Sequence, residues 1–521
     1  MSQIFEKRID ALAANGVSLA GGRKGIEKES LRLDMDGDLS RKAHPPGLGS
    51  ALTNRFITTD FSEALLEFVT PAYESTWEAL RFLCDVHQFT YERLEDELLW
   101  IASMPCMIPP DSEIPLARYG DSNVGQMKTI YRRGLGFRYG RHMQTIAGVH
   151  FNYSLPDSFW PHYQATCGDD GDEQEFRSQQ YLALTRNFRR FGWVVLYLFG
   201  ASPAICKSFG GGAELGMQSL SADTWYAPFG TSLRMSDLGY SNQNQSRINI
   251  SMNSLDSYIR DLSNAIKTPE PDYDEIGVKV DGKYRQLSAN QLQIENEYYS
   301  PVRPKRVAHS GERPTAALKR GGIEYVEIRS LDINIEDPAG INQNTMRFME
   351  AFLIYCLLED SPPFDQASLD EIKRNQALMA KEGRDPAFRL YRNGAEASLA
   401  DWAGEILDKV EAIAGLIDLA DGGDSYSQAV RMFHKLVEEP AATPSARLLE
   451  ELQAAKSGFF DYAISVARGH RDYFASITPV SNERRDEFER EAVASLERQN
   501  EIEASDAISF DEYLANYFSS D

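Results

Sequence analysis

Period-two alternation of apolar and polar residues lies in the first two-thirds of the chain. It is clearest from Gln144 to Leu155. Ala147, Val149, Phe151, Tyr153 and Leu155 fall on one side, and Gly148, His150, Asn152 and Ser154 on the other. Successive side chains of a strand point to opposite faces, so this reads as a strand with one apolar and one polar face. Gly25–Leu33 also alternates and puts Glu27 and Glu29 on one face. Ile323–Leu331 does the same for Tyr325, Glu327 and Arg329. The stretch Asp60–Pro71 reads two ways. As a helix it aligns Asp60, Glu63 and Glu67; as a turn and strand it sets Glu67 with Leu65 and Val69. β-Branched Val69 and Thr70 ahead of a helix-breaking Pro71 favour the second.

Helical spacing predicts the rest. Ser75-Thr76-Trp77-Glu78 is a capping box opening a helix through about Leu98. Asn344-Thr345 caps a second, Met346–Leu358, stopped by Ser361-Pro362-Pro363. From there to the end the pattern is helical. Asn482–Asp506 is dense in charge, with Phe488, Val493, Leu496 and Ile502 as sparse apolar positions, and reads as a solvated surface helix. Loops are expected near Gly168–Glu173 and Gly210–Gly216. The fold class is therefore α+β, with the strands in residues 1–335 and a mainly helical region in 336–521.

Charge narrows the function. Fifty-four basic residues against 78 acidic give −24 over 521 residues. Such a chain repels phosphate backbones and anionic membrane surfaces, so neither nucleic acid nor membrane is an expected partner. The most apolar uncharged stretch, Phe191–Cys206, is too short to span a bilayer. The N-terminal residues carry no apolar run of a secretory signal. Five scattered cysteines form no disulfide framework. A cytoplasmic location is expected.

An amphipathic strand normally turns its polar face to water. Here acidic residues recur on several strands, Glu327 shares its face with Arg329, and His150 lies beside Asn152. Assembled into one sheet, these faces form a concave floor holding Glu27, Glu29, Asp60, Glu67 and Glu327. They cannot all stay ionised at close range without counter-charge. Divalent cations supply it, and an oxygen-rich donor set suits magnesium, with His150 leaning toward tolerance of manganese. The cysteines show no zinc spacing. A phosphate-binding Gly-x-x-x-x-Gly-Lys-Ser/Thr is absent, and the glycines of Gly134–Gly140 and Gly210–Gly212 read as turns. A nucleotide would then be clamped by metal and by the basic cluster Arg303-Pro304-Lys305-Arg306. No nucleophile motif stands out. Phosphoryl transfer needs chiefly positioning and charge stabilisation, which carboxylates, metal and Arg329 provide.

Seven blocks, in order, resemble the proteobacterial type of glutamate–cysteine ligase (γ-glutamylcysteine synthetase). They are Gly25–Arg32, Thr58–Phe68, Met143–Asn152, Leu198–Cys206, Ser232–Tyr240, Gln293–Glu297 and Gly321–Ser330. The resemblance implies a glutamine-synthetase-like catalytic fold, an antiparallel sheet curved into a funnel and surrounded by helices, in 1–335. It implies ATP-dependent joining of the L-glutamate γ-carboxylate to the L-cysteine amine through a γ-glutamyl phosphate, as the first step of glutathione synthesis, by an expected monomer. It implies magnesium ligands at Glu27, Glu29, Asp60, Glu67, His150 and Glu327, and Arg329 over the transferred phosphoryl group. It implies a cysteine pocket at Tyr131, Tyr240 and Tyr299, with Gln144 also a substrate contact and Arg234 a substrate carboxylate partner. It further suggests that Cys106 and Cys167 come close enough to form a redox-sensitive bridge. Two other readings remain: a related ligase with another amine acceptor, and a magnesium- or manganese-dependent hydrolase.

Overall fold

The computed structural model describes residues 3–209, 217–239, 248–309 and 311–519. Its main sheet has seven strands: β1 (Arg23–Asp34), β2 (Ile57–Thr59), β3 (Leu65–Val69), β4 (Glu97–Leu99), β5 (Val149–Ser154), β6 (Val302–Lys305) and β7 (Tyr325–Leu331). They run in the order β6-β7-β5-β1-β3-β2, with β4 on the far end of β1, and every pair is antiparallel. Residues opposite one another in this register share a face. Glu29 lies opposite Glu67, Glu27 opposite His150, and Glu327 opposite both Asn152 and Arg303. The register thus collects charged side chains from five strands into one row. Between β5 and β7 it slips from Ile328 to Leu331. A bulge re-aims the local backbone, while on the β6 side the Arg329 amide donates to Pro301 O at 2.9 Å.

The other face of the sheet is buried. Ile26, Phe68, Phe151, Val326 and Ile328 have no exposed surface and meet the Gln343–Leu358 helix and its neighbours. That helix is apolar nearly all round and almost wholly buried, as such a pattern requires. Its cap is Asn342, whose side chain accepts from Thr345 N at 3.0 Å, four residues ahead of the expected first helical position. Two buried cations of β1 find carboxylates behind the sheet. Lys24 meets Glu350 at 2.6 Å, and Arg32 meets Glu97 at 3.0 Å. Between them Lys28, equally buried, donates to Ser30 Oγ at 2.6 Å and lies 3.1 Å from His87 Nε2. Burial pushes its ammonium down to about 7.

Several sequence expectations change. The helix capped by Ser75 ends at Tyr91, because Leu98 pairs with Leu33 as part of β4. A short strand after a helix continues its apolar spacing and is not distinguished by it. The region beyond 336 holds one hairpin, Arg389–Arg392 with Ala395–Ser398. The Asn482–Ser505 helix is not merely solvated. Phe488 packs on the rings of Phe56, Phe82 and Phe89, and buried Glu491 accepts from Arg55 N at 2.9 Å. Gly134 and Gly136 stand inside the Asn123–Tyr139 helix rather than in a turn. A Cβ on Gly134 would lie 2.1 Å from Gln293 Oε1, so glycine there admits a neighbour. The Gly210–Gly216 loop lies outside the described residues.

The bridge expected between Cys106 and Cys167 is replaced by one between Cys106 and Cys206, with Cα atoms 5.3 Å apart. Cys167 is a free thiol at the end of the Phe159–Thr166 helix, its amide bonded to Tyr163 O. Cys206 ends the buried strand Ala204–Cys206, which brings it within bridging range of Cys106. Among the described residues no helix is long and apolar enough to cross a membrane.

Candidate active site

A cavity of about 770 Å³ opens over the polar face of the sheet. Glu27, Glu29 and His150 form the centre of its floor, with Glu67 to one side and Glu327 and Arg329 to the other. Asp60 joins them from the turn before β3, where its amide donates to Leu65 O at 3.0 Å. His150 is the hub. Its Nδ1 lies 3.0 Å from Glu27 Oε2 and 3.7 Å from Glu327 Oε1, and its Nε2 lies 3.8 Å from Glu29 Oε1. Asn152 Nδ2 donates to the other oxygen of Glu27 at 2.9 Å, and Gly148 N donates to Glu29 Oε2 at 2.7 Å.

Negative charge exceeds what these bonds satisfy. Burial, with Glu27, Asp60 and Glu29 close by, pushes the Glu67 carboxyl well above the usual range. Burial raises Glu29 too. At Glu327 burial works the same way, but Lys305, Arg329 and His150 together hold its carboxyl well below the usual value. At Glu27 burial is likewise outweighed, chiefly by the His150 bond, and the net direction is down. The floor is therefore graded, from carboxylates held ionised beside β6 and β7 to carboxyls that resist ionisation beside β3. Ligand atoms of Glu27, His150 and Glu327 lie within 4.8 Å of one another. Glu327 Oε2 accepts no hydrogen bond and has Lys305 Nζ at 3.3 Å. This donor set fits a hard divalent cation.

Cations frame the floor. Arg329 donates to Glu327 Oε1 at 3.1 Å. Lys305 and Arg303 project from the sheet's outermost strand; the Arg303 guanidinium also donates to the carbonyls of Asn296 and Tyr298. Arg306 turns away. Its Nε donates to Gly322 O at 2.6 Å, so it terminates a helix rather than facing the cavity. Arg234 lies beneath the floor instead of on its surface. It is 1% exposed and donates to Arg329 O at 2.8 Å, in space left by Gly148, where a Cβ would lie 2.1 Å from the guanidinium. The cavity walls include Tyr131, Gln144 and Tyr299, whereas Tyr240 lies outside the described residues.

Among the wall residues that were not anticipated, four bear on the chemistry. Lys128 and Arg132 stand one turn apart on the Asn123–Tyr139 helix. Burial and the Arg132 charge push the Lys128 ammonium down to about 8, and Arg132 donates to Asp60 O. Their four-residue spacing in the sequence was the available signal. Tyr513 and Tyr517 come from the last helix, Phe510–Ser519.

Comparison with known proteins finds relatives over the length of the chain. The family model for glutamate–cysteine ligase matches residues 9–379. The chain is 50% identical to a glutamate–cysteine ligase of Alcanivorax borkumensis, covering 99% of each chain. It is 44% identical to one of Pseudomonas putida strain KT2440, covering 100% of this chain and 99% of that one. A crystal structure of a glutamate–cysteine ligase from Francisella tularensis in complex with AMP superposes with a TM-score of 0.90 at 35% identity, over 95% of this chain and 97% of that one. A bifunctional glutathione synthetase from Pasteurella multocida shares the fold, with a TM-score of 0.73 at 23% identity over 90% of this chain and 55% of that one. With the matched residues spanning the whole main sheet, the chain belongs to the glutamate–cysteine ligase family.

Proposed function

We propose that this protein joins the γ-carboxylate of L-glutamate to the amine of L-cysteine at the expense of ATP, forming γ-glutamylcysteine. The observation that carries the reading is the graded floor: a carboxylate cluster with cations on one edge, in a chain matching the family end to end.

A carboxylate is a poor acyl donor because its oxide leaving group is too basic. Transfer of the ATP γ-phosphoryl to the glutamate side chain gives an acyl phosphate, and the cysteine amine attacks its carbonyl carbon and expels phosphate. Glu27, His150 and Glu327, with Glu29, Asp60 and Glu67 around them, would hold magnesium, which when bound offsets phosphate charge in both steps. Arg329, Arg303 and Lys305 share the edge where phosphates would lie. The Arg329 guanidinium stabilises the transferring group, and a preorganised donor of this kind contributes roughly 3–4 kcal/mol. Arg234 is a positioning residue through its bond to the Arg329 carbonyl. Tyr131 and Tyr299 give the amine substrate an apolar wall.

ADP release with glutamate and a panel of amines tests it. ADP formation that requires glutamate and cysteine together is the expected result. Release without any amine would support a hydrolase instead, and a better amine than cysteine would identify a related ligase.

A further inference from the structure

We infer that the C-terminal helix, Phe510–Ser519, is a working wall of the active site, and that Tyr513 and Tyr517 keep water away from the activated glutamate. This rests on the ligase reading above. The two tyrosines are four residues apart, hence on one helix face, and both line the catalytic cavity. They belong to the reaction chamber although they follow the sheet's last strand by about 180 residues and lie beyond the matched segment 9–379.

The helix rests on a small apolar cluster separate from the main core. Met127, Ile130, Leu287 and Leu514 are its buried members. Leu514 is the one buried residue of the helix itself. Tyr131 packs against this cluster and against the main core while lining the cavity. The last helix and the expected amine pocket thus share a support. Half-buried Phe510 adds a ring contact with Tyr284 at 5.2 Å, and polar bonds hold the rest. Asp511 accepts from Lys279 at 3.0 Å and from Tyr284 at 2.6 Å, both exposed bonds. Ahead of the helix, Asn123 Nδ2 donates to Ile508 O at 3.0 Å. The Arg313 guanidinium, itself paired with Glu295 at 2.7 Å, sits 5.9 Å from the Tyr517 ring. An element with so little buried apolar surface is among the first to open.

The chemistry gives such a wall a function. ATP and glutamate yield ADP and γ-glutamyl phosphate. Attack by the amine forms a C–N bond, releases phosphate and sheds one proton. Attack by water forms a C–O bond, returns glutamate and releases the same phosphate, so one ATP is consumed without peptide. Excluding water decides between the two.

The experiment measures ADP and γ-glutamyl peptide together for the full-length protein and for Tyr513→Ala/Tyr517→Ala. The wild-type ratio should be one to one; its failure to make peptide at all would sink the ligase reading rather than this one. The double variant should raise ADP per peptide threefold or more and raise KM for cysteine, whereas Tyr513→Phe/Tyr517→Phe, which keeps both rings, should stay coupled. Should the alanine double variant not fold, as judged by circular dichroism, Tyr513→Ala alone decides by the same ratio. A folded alanine variant with a ratio of one and unchanged KM would overturn the inference, as would an equal loss of ADP and peptide.

Discussion

The two faces of β1 handle charge in opposite ways. Behind the sheet Lys24 and Arg32 each meet a carboxylate supplied by the chain. Only Lys28 there makes do with a hydroxyl and an imidazole. In front, Glu27 and Glu29 meet Glu67, Asp60 and Glu327, and two of the five, Glu29 and Glu67, have carboxyls raised by burial and by acidic neighbours. A face whose charges close internally stabilises the fold. A face left with surplus negative charge is built for cations that arrive from outside. The same twelve-residue strand therefore serves as an anchor on one side and a binding surface on the other.

Breaking the front should leave the fold and remove the activity. Glu27→Gln should lower kcat by about 10³-fold or more, above roughly 4 kcal/mol, with unchanged circular dichroism. Near-normal rates at ordinary magnesium would remove Glu27 from the metal site. Breaking the back should do the reverse. Glu350→Gln strands the Lys24 ammonium, and loss of one partner of a buried pair costs about 3–5 kcal/mol, readable by urea unfolding. Adding Lys24→Met to that variant should recover most of the loss. Next comes Arg329→Lys, which keeps the charge and loses the planar fork. A fall of about 10²-fold in kcat is expected, with little change in KM for glutamate; an effect on KM alone would make Arg329 a ground-state contact.

The smallest effect sharpens the comparison most. In EDTA, the Glu67 carboxyl is held above its ordinary value of 4.5 by burial and by its acidic neighbours. Its raised value favours the folded state below that ordinary pKa, and the benefit is lost as pH rises through the folded one. Glu67→Gln should therefore match wild type near pH 4 and melt about 1–2 °C higher near pH 7.5. Magnesium should abolish or invert the difference. A variant that melts lower than wild type in EDTA at pH 7.5 would show that the front face closes its charges internally after all.

Much of this contrast was legible in the sequence. Alternation is a local property, so Glu27 with Glu29, His150 with Asn152, and Glu327 with Arg329 could be placed on faces from spacing alone. The β-branched residues before Pro71 likewise marked the β3 strand. What brings those faces together is register, which depends on pairing between distant segments: nothing near residue 29 says that Glu67 lies opposite. The same limit explains the cysteines. Cys106 found its partner 100 residues away rather than 61, because sheet packing and not chain distance decides which thiols meet. Arg234 and Arg306 were recognisable as cations but not as buried or turned aside, since burial beneath Gly148 is a property of the neighbour. Phe488 was visible as a sparse apolar position, yet its stripe becomes meaningful only against Phe56, Phe82 and Phe89. The final tyrosines carried no pattern that pointed to a sheet so far upstream.

Because Tyr513 and Tyr517 line the same cavity as Glu27, the two ends of the chain must both exist before the chamber does. Synthesis at about 5–20 residues per second separates residue 27 from residue 517 by roughly 25–100 s. During that interval the strands can form and pair while the outer wall is still unmade. An acyl phosphate formed in such a chain would be open to water, so the order of translation delays chemical competence until well after the strands have paired.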